Sequence, residues 1–200
     1  KLIFSAHSTD TATWNIWVID FDGSNLTRLT DQSDFDGYGY GDNPAARHPD
    51  WSVNNKIVFH VRDSEIWTMN PDGSGKAKTG ILAAMKLETG NENTSTYNAV
   101  WSPDGSQIAF HLGSSPEEHI WVADPDGSNL TQISNTIDGF DWANYPSWSP
   151  DGTKLCFSVN TGSNTQIYMA NSDGTGDRVK VSDDEGASYH CTWDPTSDKM

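Results

Sequence analysis

Short apolar runs alternate along the whole chain with clusters of Asp, Gly, Ser and Asn, and no run keeps helical apolar spacing for more than about two turns. In Gln107 to His111, Ile108 and Phe110 face one way while Ala109 and His111 face the other, so both faces are apolar or nearly so. Such strands belong inside stacked sheets. The best helical candidate is Ala77 to Leu87, where Ile81, Leu82, Met85 and Leu87 could line one side of a short helix that Gly80 interrupts. The pattern predicts an all-β chain.

The apolar runs recur in fixed order. Trp101-Ser102-Pro103-Asp104-Gly105-Ser106-Gln107-Ile108-Ala109-Phe110 returns as Trp148 to Phe157 and, one residue shorter, as Trp51 to Phe59; a truncated copy starts at Trp193. A second phrase, an apolar-aromatic pair leading to Asp-Gly, gives Ile16-Trp17, Ile66-Trp67, Ile120-Trp121 and Ile167-Tyr168, spaced by 50, 54 and 47 residues. That period fits four short strands, which is one propeller blade. The innermost strand ends at the repeat Trp, and Pro-Asp-Gly then makes a tight turn into the second. The Ile-Trp phrase is the third strand, and a polar segment such as Leu26 to Thr30 forms the outer edge.

Residues 1 to 30 read as a blade without its innermost strand, and Tyr189 to Trp193 as an innermost strand without its blade. The expectation is a propeller of four blade equivalents in a single domain over 1–200, made of 1–47 with 187–200, 48–97, 98–144 and 145–186. Tyr189 to Trp193 would pair with Lys1 to Phe4 and close the ring, removing exposed sheet edges. The rival is a piece of a larger six- or seven-bladed propeller.

The phrases Trp-Ser-Pro-Asp-Gly-x-x-Ile-Ala-Phe and Ile-Trp-Val-x-(Asp/Asn)-x-Asp-Gly-Ser-Asn-Leu-Thr resemble the TolB-like β-propeller repeats, over nearly the whole chain. The resemblance implies the fold and a place in the periplasm, at the cell surface or in the secreted fraction. It says little of function, because similar repeats occur in protein-binding propellers, in peptidase propeller domains and in polysaccharide lyases. No Gly-x-Ser-x-Gly stretch is present.

Charge narrows the partners. Asp plus Glu number 28 against 12 Lys plus Arg, a formal charge of −16, which makes a phosphate backbone an unsuitable partner and sets nucleic acid aside. No apolar stretch approaches the ~18 residues of a membrane span, so no membrane insertion is expected, and a monomer is. Cys156 falls on a predicted buried strand and Cys191 just before an innermost one; burial as two free thiols is the simpler reading, with a disulfide as the alternative.

Candidate chemistry gathers on the connections between blades, which cross one face and reach the channel mouth. Three residues before each repeat Trp stand His48, Asn98, Tyr145 and His190, which pseudo-symmetry places as a ring around that mouth. Tyr38, Tyr40, Tyr97, Trp142 and Tyr189 add aromatic faces near carboxylates, a mixture suited to sugar rings, and Arg47 is the sole cation near the ring. His48 and His190, with Asp42 and Asp184, are weak candidates for a divalent metal; no cofactor is otherwise expected. His60 and His111, matched by Ser5 and Ser158 elsewhere, suggest a repeated hydrogen-bond role between blades. The phrases Asp20 to Asn25 and Asp124 to Asn129 lack the bidentate Glu of an EF-hand and read as turn makers.

No nucleophile, base and acid assemble into a set. The reading is a non-catalytic binding propeller for a carbohydrate or a protein, using the loop-rich face and channel mouth. Its rival is a lyase acting on acidic polysaccharide through His48, His190, Tyr97 and Tyr189.

Overall fold

The computed structural model describes residues 1–10, 13–35, 45–61, 65–114, 117–135, 142–182 and 186–195. The chain folds into successive antiparallel sheets, one per repeat. The first holds β1 (Leu2–Ser8), β2 (Thr13–Ile19) and β3 (Thr27–Arg28); the second β4 (Ala46–Trp51), β5 (Ile57–Val61), β6 (Glu65–Met69) and β7 (Ala77–Lys78). The third holds β8 (Ser95–Trp101), β9 (Ile108–Ser114), β10 (Glu117–Ala123) and β11 (Thr131–Gln132); the fourth β12 (Trp142–Trp148), β13 (Lys154–Asn160), β14 (Thr165–Asn171) and β15 (Val179–Lys180). Third and fourth touch through a parallel bridge between Glu118 and Trp142.

The core lies between sheets rather than within one. Ile16, Val18 and Leu29 of the first sheet pack against Ile57, Phe59 and Trp67 of the second; Val58 and Ile66 of the second pack against Trp101, Ile108 and Phe110 of the third. Ile120 and Ile133 of the third then meet Trp148, Leu155 and Phe157 of the fourth. Because each second strand is covered on both sides, Phe59, Phe110 and Phe157 are fully buried, as their two-sided apolar pattern requires.

Turns follow the residues. In Ser102-Pro103-Asp104-Gly105 the Ser102 hydroxyl donates to Asp104 Oδ1 at 2.6 Å, the Ser106 amide donates to the same oxygen at 3.0 Å, and Gly105 takes φ 70°. Asp151 repeats this, and the hydroxyl of Ser149, with the amide and hydroxyl of Thr153, hold its carboxyl down at about 2. In the divergent turn after Trp51, Asn55 supplies the positive φ of 59° while Asn54 donates to the carbonyl of Asp104 in the next repeat at 3.0 Å. The Asp22 and Asp126 turns use the same side-chain caps, from Ser24 and Ser128.

The helical candidate forms α1 (Ile81–Thr89), with Ile81 and Met85 buried and Leu87 exposed. Gly80 begins the helix instead of interrupting it. Its amide donates to the carbonyl of Pro125, and a Cβ at Gly80 would stand 1.8 Å from the carbonyl oxygen of Asp126, so only glycine allows α1 to seat on the neighbouring turn.

Two expectations are corrected at the C-terminal segment. Tyr189 to Trp193 forms no strand, and β1 pairs with β2 alone among the described residues, so the ladder expected to close a ring is not there. The segment is instead fastened to the fourth sheet: the Ser158 hydroxyl donates to the Tyr189 carbonyl, and Trp193 donates to the carbonyl of Ser147. Cys156 and Cys191 are joined in a disulfide, not two free thiols, because this segment runs directly alongside β13.

Candidate functional site

Each innermost strand carries the same irregularity. The ladder slips between Arg47 and Asp50, between Tyr97 and Val100, and between Asn144 and Ser147. At each slip the residue three before the repeat Trp takes a left-handed backbone: His48 at φ 48°, Asn98 at 49° and Tyr145 at 54°. Left-handed backbone is unfavourable for His and Tyr by roughly 1 kcal/mol each, whereas Asn tolerates it. A bulge of this kind bends the strand and re-aims a side chain.

The re-aimed side chains meet. His48, Asn98, Tyr145 and His190 all line one cavity of about 500 Å³, completed by Phe4, Ser5, Pro49, Asp50, Ala99, Val100, Pro146 and Cys191. The rings of Tyr145 and His190 lean together, with centroids 4.3 Å apart and planes at 49°. Among the described residues that line it, Asp50 is the one carboxylate, and no Lys or Arg takes part.

The remaining candidates lie outside this cavity. Arg47 is paired with His60 across the β4–β5 ladder, and its guanidinium sits 5.1 Å from the Trp14 ring centre. Tyr97 stands between two imidazoles, 6.0 Å from His60 and 5.4 Å from His111. Trp142 and Tyr189 are 52% and 58% exposed. Tyr38, Tyr40, Asp42 and Asp184 lie outside the described residues, and among those described no group of three His, Cys, Asp or Glu is placed to hold a metal ion.

Beside the cavity runs a row of rings. His48 and His60 are 4.9 Å apart, His60 leads to Tyr97, and Tyr97 to His111, whose Nε2 is 3.2 Å from Glu118. His60 Nδ1 accepts the amide hydrogen of Asn98 at 3.4 Å and so ties β5 to the next bulge. Burial first, then the electrostatic influence of neighbouring His48, Arg47 and His111, push the His60 imidazole down to about 3, leaving it neutral. The His111 contact holds the Glu118 carboxyl below its ordinary range.

Sequence reasoning missed Asp50. In the position before each repeat Trp stand Asp50, Val100, Ser147 and Thr192, so the departure was visible once the copies were aligned. Its Oδ2 accepts the backbone amide hydrogen of Trp101 at 2.7 Å, and burial raises its pKa above the usual carboxylate value despite amide donors from Trp101 and Trp51.

The sheets, their order and the repeated turns have a counterpart among known families: the TolB beta propeller domain matches residues 74–200. The chain belongs to the TolB beta-propeller family. No curated protein matches the chain. Among solved TolB propellers, that of Agrobacterium tumefaciens is 17% identical with a TM-score of 0.70, over 96% of this chain and 66% of its own. The propeller chain of a nidogen/laminin complex is 14% identical with a TM-score of 0.65, over 95% of this chain and 68% of its own. An oligogalacturonate lyase in complex with manganese is 18% identical with a TM-score of 0.57, over 86% of this chain and 43% of its own. The chain therefore spans 66% of the Agrobacterium TolB and less than half of the lyase. At these identities the likeness concerns the propeller fold.

Proposed function

We propose that this chain is a non-catalytic binding module that takes a partner protein at the channel mouth. One observation carries the reading: four repeats each send the residue three before their Trp to the wall of a single cavity, three of them from a left-handed bulge. Backbone strain kept at the same point in successive repeats points to a task there, since a regular ladder would be more stable. The solved nidogen/laminin complex places a related propeller within a protein assembly, which supports a protein as ligand class.

A carbohydrate ligand is the second reading, favoured by the exposed rings of Trp142 and Tyr189. Tyr145 argues against it at the mouth itself, because its ring leans on His190. Lyase chemistry has less support: Tyr97 lies outside the cavity that His48 and His190 share, so the residues it would need are not brought together. The disulfide between Cys156 and Cys191 favours work outside the cytoplasm, at the cell surface, in the periplasm or secreted.

The test is a photo-reactive side chain placed at His190, with the same group at exposed Val53 in the divergent turn as control. Irradiation in the source cells is expected to give discrete protein adducts at 190 and none at 53. Adducts at 53 alone would contradict the reading. Glycan-array binding lost on Trp142→Ala would replace it with the sugar reading.

A further inference from the structure

Asp50 accepts backbone amide hydrogens from Trp101 and Trp51, and neither donor brings a positive charge to balance the carboxylate. At the next junction the link between repeats is uncharged: the Trp148 indole donates to the Val100 carbonyl at 3.3 Å. Between the second and third repeats the Trp101 indole nitrogen is buried with no hydrogen-bond partner among the described residues, and the Trp101 backbone amide goes to the Asp50 carboxylate. An amide oxygen at position 50 would accept that hydrogen without the cost of holding a charge away from water. Accepting amide hydrogens therefore does not by itself supply a reason for the negative charge.

The surroundings give one. No Lys or Arg pairs with Asp50 among the ion pairs of the described residues, and none lines the cavity. Ser5, Asn98 and Tyr145, which bear oxygen acceptors, line the same walls. Pro49 and Pro146 flank them with rigid apolar surface, suited to an alkyl stem. The formal charge of −16 draws cations toward the surface, and partial burial makes any charge inside the cavity count for more than it would in water.

We propose that the channel-mouth cavity is a socket for a lysine side chain of the partner protein, with the Asp50 carboxylate as counter-ion to its ammonium. This rests on the channel mouth being the binding site and adds the chemistry of what enters it. The ammonium supplies a cation where no Lys or Arg lines the cavity among the described residues, and it has three hydrogens to share between the carboxylate and the oxygen acceptors of the same walls. Burial, which raises the carboxyl pKa, is then offset by a charge partner.

The probe is a capped alanine pentapeptide with a central lysine, titrated by calorimetry at low ionic strength against its norleucine counterpart. The wild type is expected to bind the lysine peptide at least about tenfold more tightly than the norleucine peptide. Asp50→Asn keeps an acceptor for the Trp101 amide, and is expected to remain folded and to lose that preference. Asp104→Asn, which changes an exposed turn carboxylate, is expected to retain it. Equal affinity for the two peptides in the wild type, no binding of either, or the same loss in both variants would each overturn the socket. Protein adducts at position 190 that persist in Asp50→Asn at unchanged yield would likewise overturn it, while leaving the channel mouth as the binding site.

Discussion

The indole of Trp193 donates to the carbonyl of Ser147 at 3.0 Å, and this repeats the bond from the Trp148 indole to the Val100 carbonyl at 3.3 Å. In both pairs the acceptor is the residue just before the repeat Trp of the preceding blade. Trp193 thus stands where the repeat Trp following Trp148 is expected, although its segment forms no ladder. Trp193→Phe keeps most of the ring and removes one hydrogen bond, so a loss of about 1 kcal/mol is expected by urea unfolding. An unchanged midpoint would show that the bond carries no stability.

The disulfide matters more to the same segment. It closes a separation of 35 residues, for which chain entropy gives a stabilisation of roughly 4 kcal/mol. Cys191→Ser, or reduction by a dithiol, is expected to lower stability by about that amount. It should also release amides 188–193 to hydrogen exchange while β5, β9 and β13 stay protected.

Gly80 tests the seating of α1. A Cβ there meets the Asp126 carbonyl at 1.8 Å, too close to be absorbed by a side chain, so Gly80→Ala is expected to cost roughly 2–3 kcal/mol in thermal or urea unfolding. Ala is otherwise the better helix former, and a stabilised variant would contradict the close approach.

Acid should unfold the protein partly through His60. Its folded value of about 3 lies below the ordinary 6.5, so the unfolded state takes up the proton first. The stability this group contributes is complete above pH 6.5 and is lost as pH falls from there toward about 3. His60→Gln is expected to flatten the stability profile over that range.

Asp50 has the opposite sign. A carboxyl whose folded pKa is raised costs stability once pH climbs past its unfolded value near 3.8. Asp50→Asn is therefore expected to melt higher than the wild type at neutral pH, with the difference vanishing in strong acid. A neutral-pH melt at or below the wild type would show that the charge serves the fold.

Much of this was legible in the residues. Ile108 and Phe110, the Pro-Asp-Gly turns and the Ile-Trp phrases placed the strands, because each relies on local periodicity or local turn chemistry. That His48, Asn98, Tyr145 and His190 line a common cavity is in keeping with their shared repeat register. The bulges beneath it did not: Asn98 suits a positive φ, but nothing in His48 or Tyr145 signals one. The Gly80 contact was hidden, and the choice between two thiols and a disulfide stayed open, because both depend on how separate segments dock, which has no local signature. Asp50 carries a signal of another kind, a mismatch where the other copies have Val100, Ser147 and Thr192.

The most direct test of the channel mouth as the binding site is hydrogen exchange on the chain with and without the partner captured at position 190. Binding there predicts simultaneous protection of the amides at 47–50, 97–100 and 144–147, where the three bulges converge. Protection confined to the outer strands β3, β7, β11 and β15, with the three bulges unchanged, would contradict it.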